Sequence, residues 1–357
     1  MVFLLSSLAL GGYGDAIDGR PSHVEREVHF WTNMVRIDPS AFQGDYPCSF
    51  NSFASSEKTP KQPLQWNHDL GEAARVHSDD MNARDYFDHD TLGGPTFSQR
   101  VWSYYSGGAI GENIALGYGS AWDAVIEGWM CSSGHRSNIM SSSFDELGTG
   151  VSGPYYTQDF GGGNPPRRAL AMGIHLPEDP GAEVDYAVDW IMTEAPSAVY
   201  VVVNGERHDL DRFIGDAGGW SGWSARLPVS GGCTEYYFVG EAAGLMHTFP
   251  EEGSYTFGSC ANDDAEAGWV ARQLDWDEEE PPDAGTDTGD GTDSAGPTGD
   301  AGEDEGTGTA EDDTWADTEP EEDVPPPAAS GGCSTAGSAG SLLGLLVGMV
   351  GARRRGR

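Results

Sequence analysis

Cationic side chains are scarce in this chain. Its 357 residues include 17 Arg and 2 Lys against 58 Asp and Glu, a formal charge of -39. A nucleic-acid partner needs basic contacts along phosphates, and no basic face is legible, so nucleic acid is excluded. Residues 275–323 hold 21 Asp or Glu and no Lys or Arg. Long apolar runs are scarce too. The one near the C-terminus is about 17 residues long with its small residues counted, which is marginal for crossing a bilayer. No G-x-S-x-G elbow surrounds Ser132 or Ser133, so these serines are assigned to a turn or helix cap rather than to nucleophilic catalysis.

Cysteine is sparse but evenly usable. Of five cysteines, Cys333 falls in the terminal segment, leaving Cys48, Cys131, Cys233 and Cys260. Export would allow these four to oxidise. Four cysteines permit three pairings. Cys48–Cys131 and Cys233–Cys260 would each stay inside one expected domain; free buried thiols are the alternative. The first twenty residues include Phe3-Leu4-Leu5 and Leu8-Ala9-Leu10, an apolar core of the length a secretory leader uses, although a positive start is missing. A buried first strand is the other reading.

What is present organises into segments. Val28, Trp31 and Val35 recur at helical spacing over residues 24–37, and Pro39 stops that helix. A second helix is predicted from Asn67 to Arg84, with Leu70, Ala74, His77 and Met81 on one stripe. His77 therefore faces the core. Residues 96–105 form a third, short helix. Residues 106–121 are glycine-rich loop except near Glu112–Ala115. Trp122, Val125, Ile126, Trp129 and Met130 mark another helix, which Ser133 and Gly134 end before His135. Strands are expected at Gly148–Val151, Tyr155–Phe160 and Ala169–Ile174. Short β-like runs follow at 187–191, 198–203, 224–227, 236–239, 245–249 and 254–257. They point to a small sandwich of immunoglobulin or fibronectin type.

The fold class is thus α+β, as a three-layer sandwich over residues 21–180. A small all-β sandwich is expected over 181–270. An acidic spacer that cannot bury enough surface to fold covers 271–330. The last segment, 331–357, pairs Cys333 and the apolar run with an arginine cluster, and is expected to make transient membrane contact through a transmembrane helix.

Several motifs carry a family likeness. They are His77-Ser78-Asp79-Asp80-Met81, Phe87-Asp88-His89, Gly111-Glu112-Asn113-Ile114, Gly134-His135-Arg136-Ser137-Asn138-Ile139-Met140 and Tyr156-Thr157-Gln158-Asp159-Phe160-Gly161. With Trp66 and Trp129 they make residues 24–174 resemble the CAP superfamily, also called the SCP/PR-1 or cysteine-rich secretory protein domain, in its bacterial form. The resemblance implies an α–β–α sandwich. It also implies capture of an extracellular protein, lipid, sterol or polysaccharide. The C-terminal segment resembles the sorting tails of myxobacterial surface proteins. That implies processing machinery acting near Cys333 and a secreted or cell-envelope location.

The likeness also groups His89, Glu112 and His135 in one cleft. Eukaryotic members carry two His and two Glu there. His89 and Glu112 match the first pair, but Ser132 and Tyr155 stand where the second Glu and second His are expected. Two imidazoles and a carboxylate can bind a divalent ion, Zn²⁺ above all, with an open position for water. The same three can instead form a polar structural network. Asn113, Arg136, Tyr155 and Gln158 are supporting candidates: Asn113 to tie loop backbone, Arg136 to pair with a carboxylate, Gln158 to bridge the sheet. The function expected is a secreted or surface binding module, with a metal-dependent hydrolase of peptide or wall material as the alternative.

Overall fold

The computed structural model describes residues 12–272. Four helices form: α1 (His23–Ile37), α2 (His68–Arg84), α3 (Phe97–Tyr104) and α4 (Ser133–Ile139). Helix α1 begins at Ser22, whose N–H donates to the Glu25 carboxylate at 2.8 Å. Asn67 caps α2 by accepting the Leu70 N–H at 3.0 Å. A first sheet contains β1 (Gln65–Trp66), β2 (Ile110–Leu116), β3 (Glu146–Ser152) and β4 (Tyr155–Gly161), in the order β1-β3-β4-β2. Only β1 and β3 run parallel.

Alternation along β3 builds the layers. Gly148 and Gly150 point to α2, and a Cβ there would lie 2.0 Å from the Gly71 nitrogen and 2.2 Å from the Arg75 nitrogen. No side chain fits, so the helix rests directly on the strand. Thr149, between them, points the other way and donates to the Glu25 carbonyl of α1 at 2.9 Å. The first sheet is therefore sandwiched between α2 and α1.

The second sheet holds β5 (Gly173–Leu176), β6 (Glu183–Trp190), β9 (Asp211–Gly215) and β10 (Ser221–Pro228), in the order β5-β6-β10-β9. The third holds β7 (Ala198–Val203), β8 (Glu206–Asp209), β11 (Cys233–Ala242), β12 (Leu245–Phe249), β13 (Gly253–Gly258) and β14 (Trp269–Ala271). The expected division at residue 180 falls between β5 and β6, which pair with each other. Helix α1 also reaches this region: Asn33 donates to the Asp189 carboxylate on β6 at 2.7 Å. One apolar cluster accordingly runs from Val28 and Trp31 through Phe160 to Tyr186, Tyr236 and Tyr255. Disulfides join Cys48 to Cys131 and Cys233 to Cys260.

Several local expectations change. The stretch read as glycine-rich loop contains β2, paired with β4 along its whole length. Cross-strand pairing outweighs the glycines' weak strand propensity. The helix expected around Trp122–Met130 is a π-helical turn (Asp123–Gly128) followed by a 3₁₀ turn (Trp129–Cys131). Ser133 and Gly134 start α4 rather than end a helix, because Ser132 is extended and serves as its N-cap position. Residues 12–20 pack on the body: the Asp15 carboxylate is buried and accepts the Gly253 N–H at 2.7 Å.

The expected transmembrane helix and membrane contact require correction. Among the described residues no helix is long and apolar enough to cross a membrane. The apolar run on which that expectation rested, with the acidic spacer and the tail resembling a sorting signal, lies outside the described residues.

Candidate functional site

The site grows from two adjacent residues of β2 that face opposite ways. Glu112 points to the side of α2 and α3; Asn113 points toward α1 and α4. Their partners in β4 are Asp159 and Gln158 respectively.

On the first side, the Glu112 side chain is 1% exposed and both of its oxygens are engaged. Oε1 lies 2.8 Å from Nδ1 of His89, and Oε2 accepts from the Arg100 guanidinium of α3. Arg100 also donates to the His89 backbone carbonyl at 2.9 Å, which fixes the loop that carries the imidazole. Burial pushes the Glu112 pKa up, but the His89 hydrogen bond and the Arg100 charge outweigh it and hold the carboxyl below its ordinary range. Asp159 shows the reverse. It is fully buried, and burial together with the Glu112 charge drives its pKa well up. As a carboxylate neither of its oxygens meets a hydrogen-bond donor among the described residues. With one proton it donates to Glu112. The arrangement is a carboxyl biased toward ionisation by a guanidinium and an imidazole, facing a second buried carboxyl biased toward its neutral form.

On the second side, Asn113 Nδ2 donates to Gln158 Oε1 at 3.0 Å and to the His135 carbonyl at 3.1 Å. Asn138 of α4 donates to Asn113 Oδ1 and to the Glu112 carbonyl, both at 3.0 Å. Gln158 passes the chain on to Thr32 of α1 at 2.6 Å. Strand β2 and helix α4 are thereby locked together through buried amides.

The expected residues thus meet in part. His89 and Glu112 are in direct contact, and Asn113, Gln158 and the His135 backbone are linked. The His135 imidazole is half-buried at the first turn of α4. Arg136 stands apart, bonded to Glu57 at 2.8 Å and stacked over Phe53. Tyr155 packs with Met81 and Ile114, its hydroxyl 3.5 Å from Asp85. The sequence reading did not name Arg100, and it gave Asp159 and Asn138 no role beyond membership of their motifs. The signal for Arg100 was the need of a buried carboxylate for a cation; that for Asp159 was its register opposite Glu112.

A metal ion would have to compete for this donor set. Glu112 already spends both oxygens, and ligation through His89 Nδ1 would break the imidazole–carboxylate bond. Among the described residues no group of three His, Cys, Asp or Glu is arranged to hold an ion. As arranged, Glu112 and His89 Nδ1 would have to give up these bonds to ligate an ion.

Residues 32–160 match the family model described as "CAP: Cysteine-rich secretory protein family". The chain is 38% identical over 111 residues to "Uncharacterized protein YkwD" of Bacillus subtilis (strain 168), covering 30% of this chain and 42% of that one. It is 37% identical over 98 residues to "Uncharacterized membrane protein YlbC" of the same organism, covering 27% and 28%. The matches span less than half the length of these relatives. Among solved structures, an extracellular protein containing a SCP domain from Bacillus anthracis str. Ames is similar at 28% identity and a TM-score of 0.30, over 38% of this chain and 39% of that one.

Proposed function

We propose that this chain, a CAP-domain protein related to those bacterial proteins through residues 32–160, is a secreted or envelope-associated binding module. Its ligand-facing feature is the His89 surface beside β2. Two disulfides support an oxidising location.

One observation carries this reading. Glu112 is sealed from solvent and bonded at both oxygens, while the His89 side chain it holds is 40% exposed. A general base must take up a proton near working pH. Glu112 is biased the other way, toward permanent ionisation, by His89 and Arg100. Its role is to fix the orientation of the imidazole. A rigid, half-exposed imidazole suits recognition of a polar extracellular ligand.

The test compares the full chain with His89→Ala and Glu112→Ala. Retention by isolated cell envelopes and hydrolysis of peptide and cell-wall substrates are measured side by side. Both variants should weaken retention, and no protein should hydrolyse either substrate above buffer. Turnover by the wild type that vanishes in His89→Ala would replace binding with catalysis.

A further inference from the structure

Away from the His89 site, the end of the secretory leader is open on sequence alone. An export peptidase cuts after a small residue that has another small residue two places before it. Past the apolar core, which closes at Leu10, three bonds satisfy this. They are the bonds after Gly11, Gly14 and Ala16, with Ala9, Gly12 and Gly14 two places before. The packing of residues 12–20 tells these bonds apart.

Tyr13 touches all three sheets. Its hydroxyl donates to the Ala171 carbonyl at 3.0 Å, just ahead of β5, and accepts the Trp66 N–H of β1 at 2.6 Å. In the turn between β12 and β13, its N–H donates to the Glu251 carboxylate at 2.8 Å and its carbonyl accepts the Glu251 N–H at 2.9 Å. Asp15, 1% exposed, accepts the N–H groups of Glu252 and Gly253 at 3.1 and 2.7 Å. The Tyr255 hydroxyl donates to the Gly14 carbonyl at 2.6 Å. The segment then runs on to α2: the Gly19 N–H donates to Asp264 at 2.6 Å, and Arg20 pairs with Glu72. A cut after Gly14 removes Tyr13 and strips the buried Trp66 N–H, Ala171 carbonyl and Tyr255 hydroxyl of these partners. A cut after Ala16 removes Asp15 as well. Leaving such groups unpaired is costly, so both cuts work against the fold.

We propose that export processing hydrolyses the bond between Gly11 and Gly12, and that residues 12–20 stay in the mature protein as a strap tying the third sheet to β1 and α2. This rests on the export reading above. Water adds across that one peptide bond; the leader leaves with the new carboxylate, and Gly12 keeps the new α-amine. The surroundings of Gly12 favour that amine in its protonated form. A Cβ built on Gly12 would lie 2.7 Å from the Asp15 carboxylate, and 2.8 and 3.0 Å from the Glu251 and Glu252 side chains. The cut therefore creates a positive charge beside three acidic residues.

The full chain is expressed in an exporting bacterium, and the protein recovered outside the cytoplasm is read by N-terminal sequencing. The expected N-terminus is Gly12. Purified chains beginning at Gly12, Asp15 and Ile17 are compared with the full chain by thermal unfolding and amide hydrogen exchange. The Gly12 chain should match the full chain within about 1 °C in Tm, and the other two should unfold roughly 5–15 °C lower. The Glu252 and Gly253 amides should exchange roughly tenfold faster, or more, in the Ile17 chain. Asp15→Ala in the full chain should speed the same two amides, and Asp15→Asn, which keeps an oxygen acceptor, should slow them again. If the Ile17 chain does not fold, this pair of variants decides. A mature N-terminus at Asp15 or Ile17, or residues 1–11 still attached to the exported protein, overturns the cut. A chain held uncut in the cytoplasm overturns the export reading together with the cut. An Ile17 chain as stable as the Gly12 chain, or Glu252 and Gly253 amides that stay slow in Asp15→Ala, overturns the strap.

Discussion

Glu112 and Asp159 stand directly opposite each other on β2 and β4, two buried carboxyl groups whose surroundings drive their pKa values apart, Glu112 downward and Asp159 well upward. Two like charges at that separation cannot both be maintained without water. Arg100 and His89 select Glu112 as the ionised partner, since both contact it directly.

This division of charge makes the two residues unequal under mutation. Asp159→Asn keeps a donor toward Glu112 and is expected to change stability at pH 7 by less than about 1 kcal/mol. Glu112→Gln leaves the buried Arg100 guanidinium without its carboxylate and should cost about 3–5 kcal/mol. Urea denaturation of both variants checks the contrast. The pH dependence follows from the raised folded pKa of Asp159. Its proton is bound more tightly in the folded state, so its stabilisation is complete below its unfolded value of 3.8 and is lost as pH rises through the folded value. The wild-type advantage over Asp159→Asn should therefore shrink with rising pH. An advantage that grows with pH would mean that Asp159 is ionised.

Metal should be irrelevant to the folded state. An ion held only by the native protein at a hundred times its Kd would add about 2.7 kcal/mol. Since the donor atoms around Glu112 are already paired, EDTA treatment or added Zn²⁺ should leave Tm unchanged within about 1 °C. A zinc-dependent rise in Tm that is abolished by Glu112→Gln would show that Arg100 is displaced and a ligand set assembled.

A separate pH effect belongs to the second and third sheets. His175 donates through Nε2 to the Glu178 carbonyl, and its Nδ1 accepts from the Tyr236 hydroxyl at 2.8 Å. Burial, only partly offset by the Glu178 hydrogen bond and reinforced by nearby Arg26, pushes its pKa down to about 3. Its neighbour His23, whose ring centroid is 4.6 Å away, is lowered as well. Here the unfolded state binds the proton first. The stability contributed by neutral His175 is present above the unfolded value of 6.5 and is lost as pH falls toward 3. Buried Glu27, raised to about 7, and Asp189, raised to about 6, act in the opposite sense, so the difference from a variant isolates the histidine. Relative to His175→Gln, wild type should lose about 1.4 kcal/mol per pH unit below pH 6.5. A difference that stays flat from pH 7 to 4 would contradict the buried neutral imidazole.

Local pattern made much of the fold readable, because α1 and α2 repeat apolar residues at helical spacing and end at Pro39 and Asp85 respectively. The β-rich region was readable where β-branched and aromatic residues cluster between Gly and Pro, as in β7 and β11. Strands β8 and β9 were missed: Glu206–Asp209 and Arg212 are polar, and their strand state comes from pairing with β7 and β10. At the site, His89 and Glu112 were legible through a motif likeness. Asp159 and Arg100 were not, because register and helix docking bring them to Glu112 from 47 and 12 residues away. Side chains that meet only through tertiary structure leave no spacing rule in the sequence.

The close seating of α2 on β3 offers the most direct link between packing and site. Gly148 pairs with Asp159 in β4, and Asp159 pairs with Glu112 in β2, so the three lie in one row across the sheet. A methyl group at Gly148 would meet backbone atoms of Leu70 and Gly71 at 2.1 and 2.0 Å, and backbone cannot rotate away as a side chain can. Helix and strand must separate, which should cost roughly 1–3 kcal/mol or more. Gly44→Ala is the control, since nothing lies within 4 Å of its added carbon; it should be nearly neutral. Because the displaced strand carries the Asp159–Glu112 row with it, Gly148→Ala should also shift the NMR resonances of the His89 ring, which Gly44→Ala should leave in place. An unchanged His89 spectrum in a destabilised Gly148→Ala protein would mean that the row does not transmit the strain, and that Arg100 and the loop alone position the imidazole.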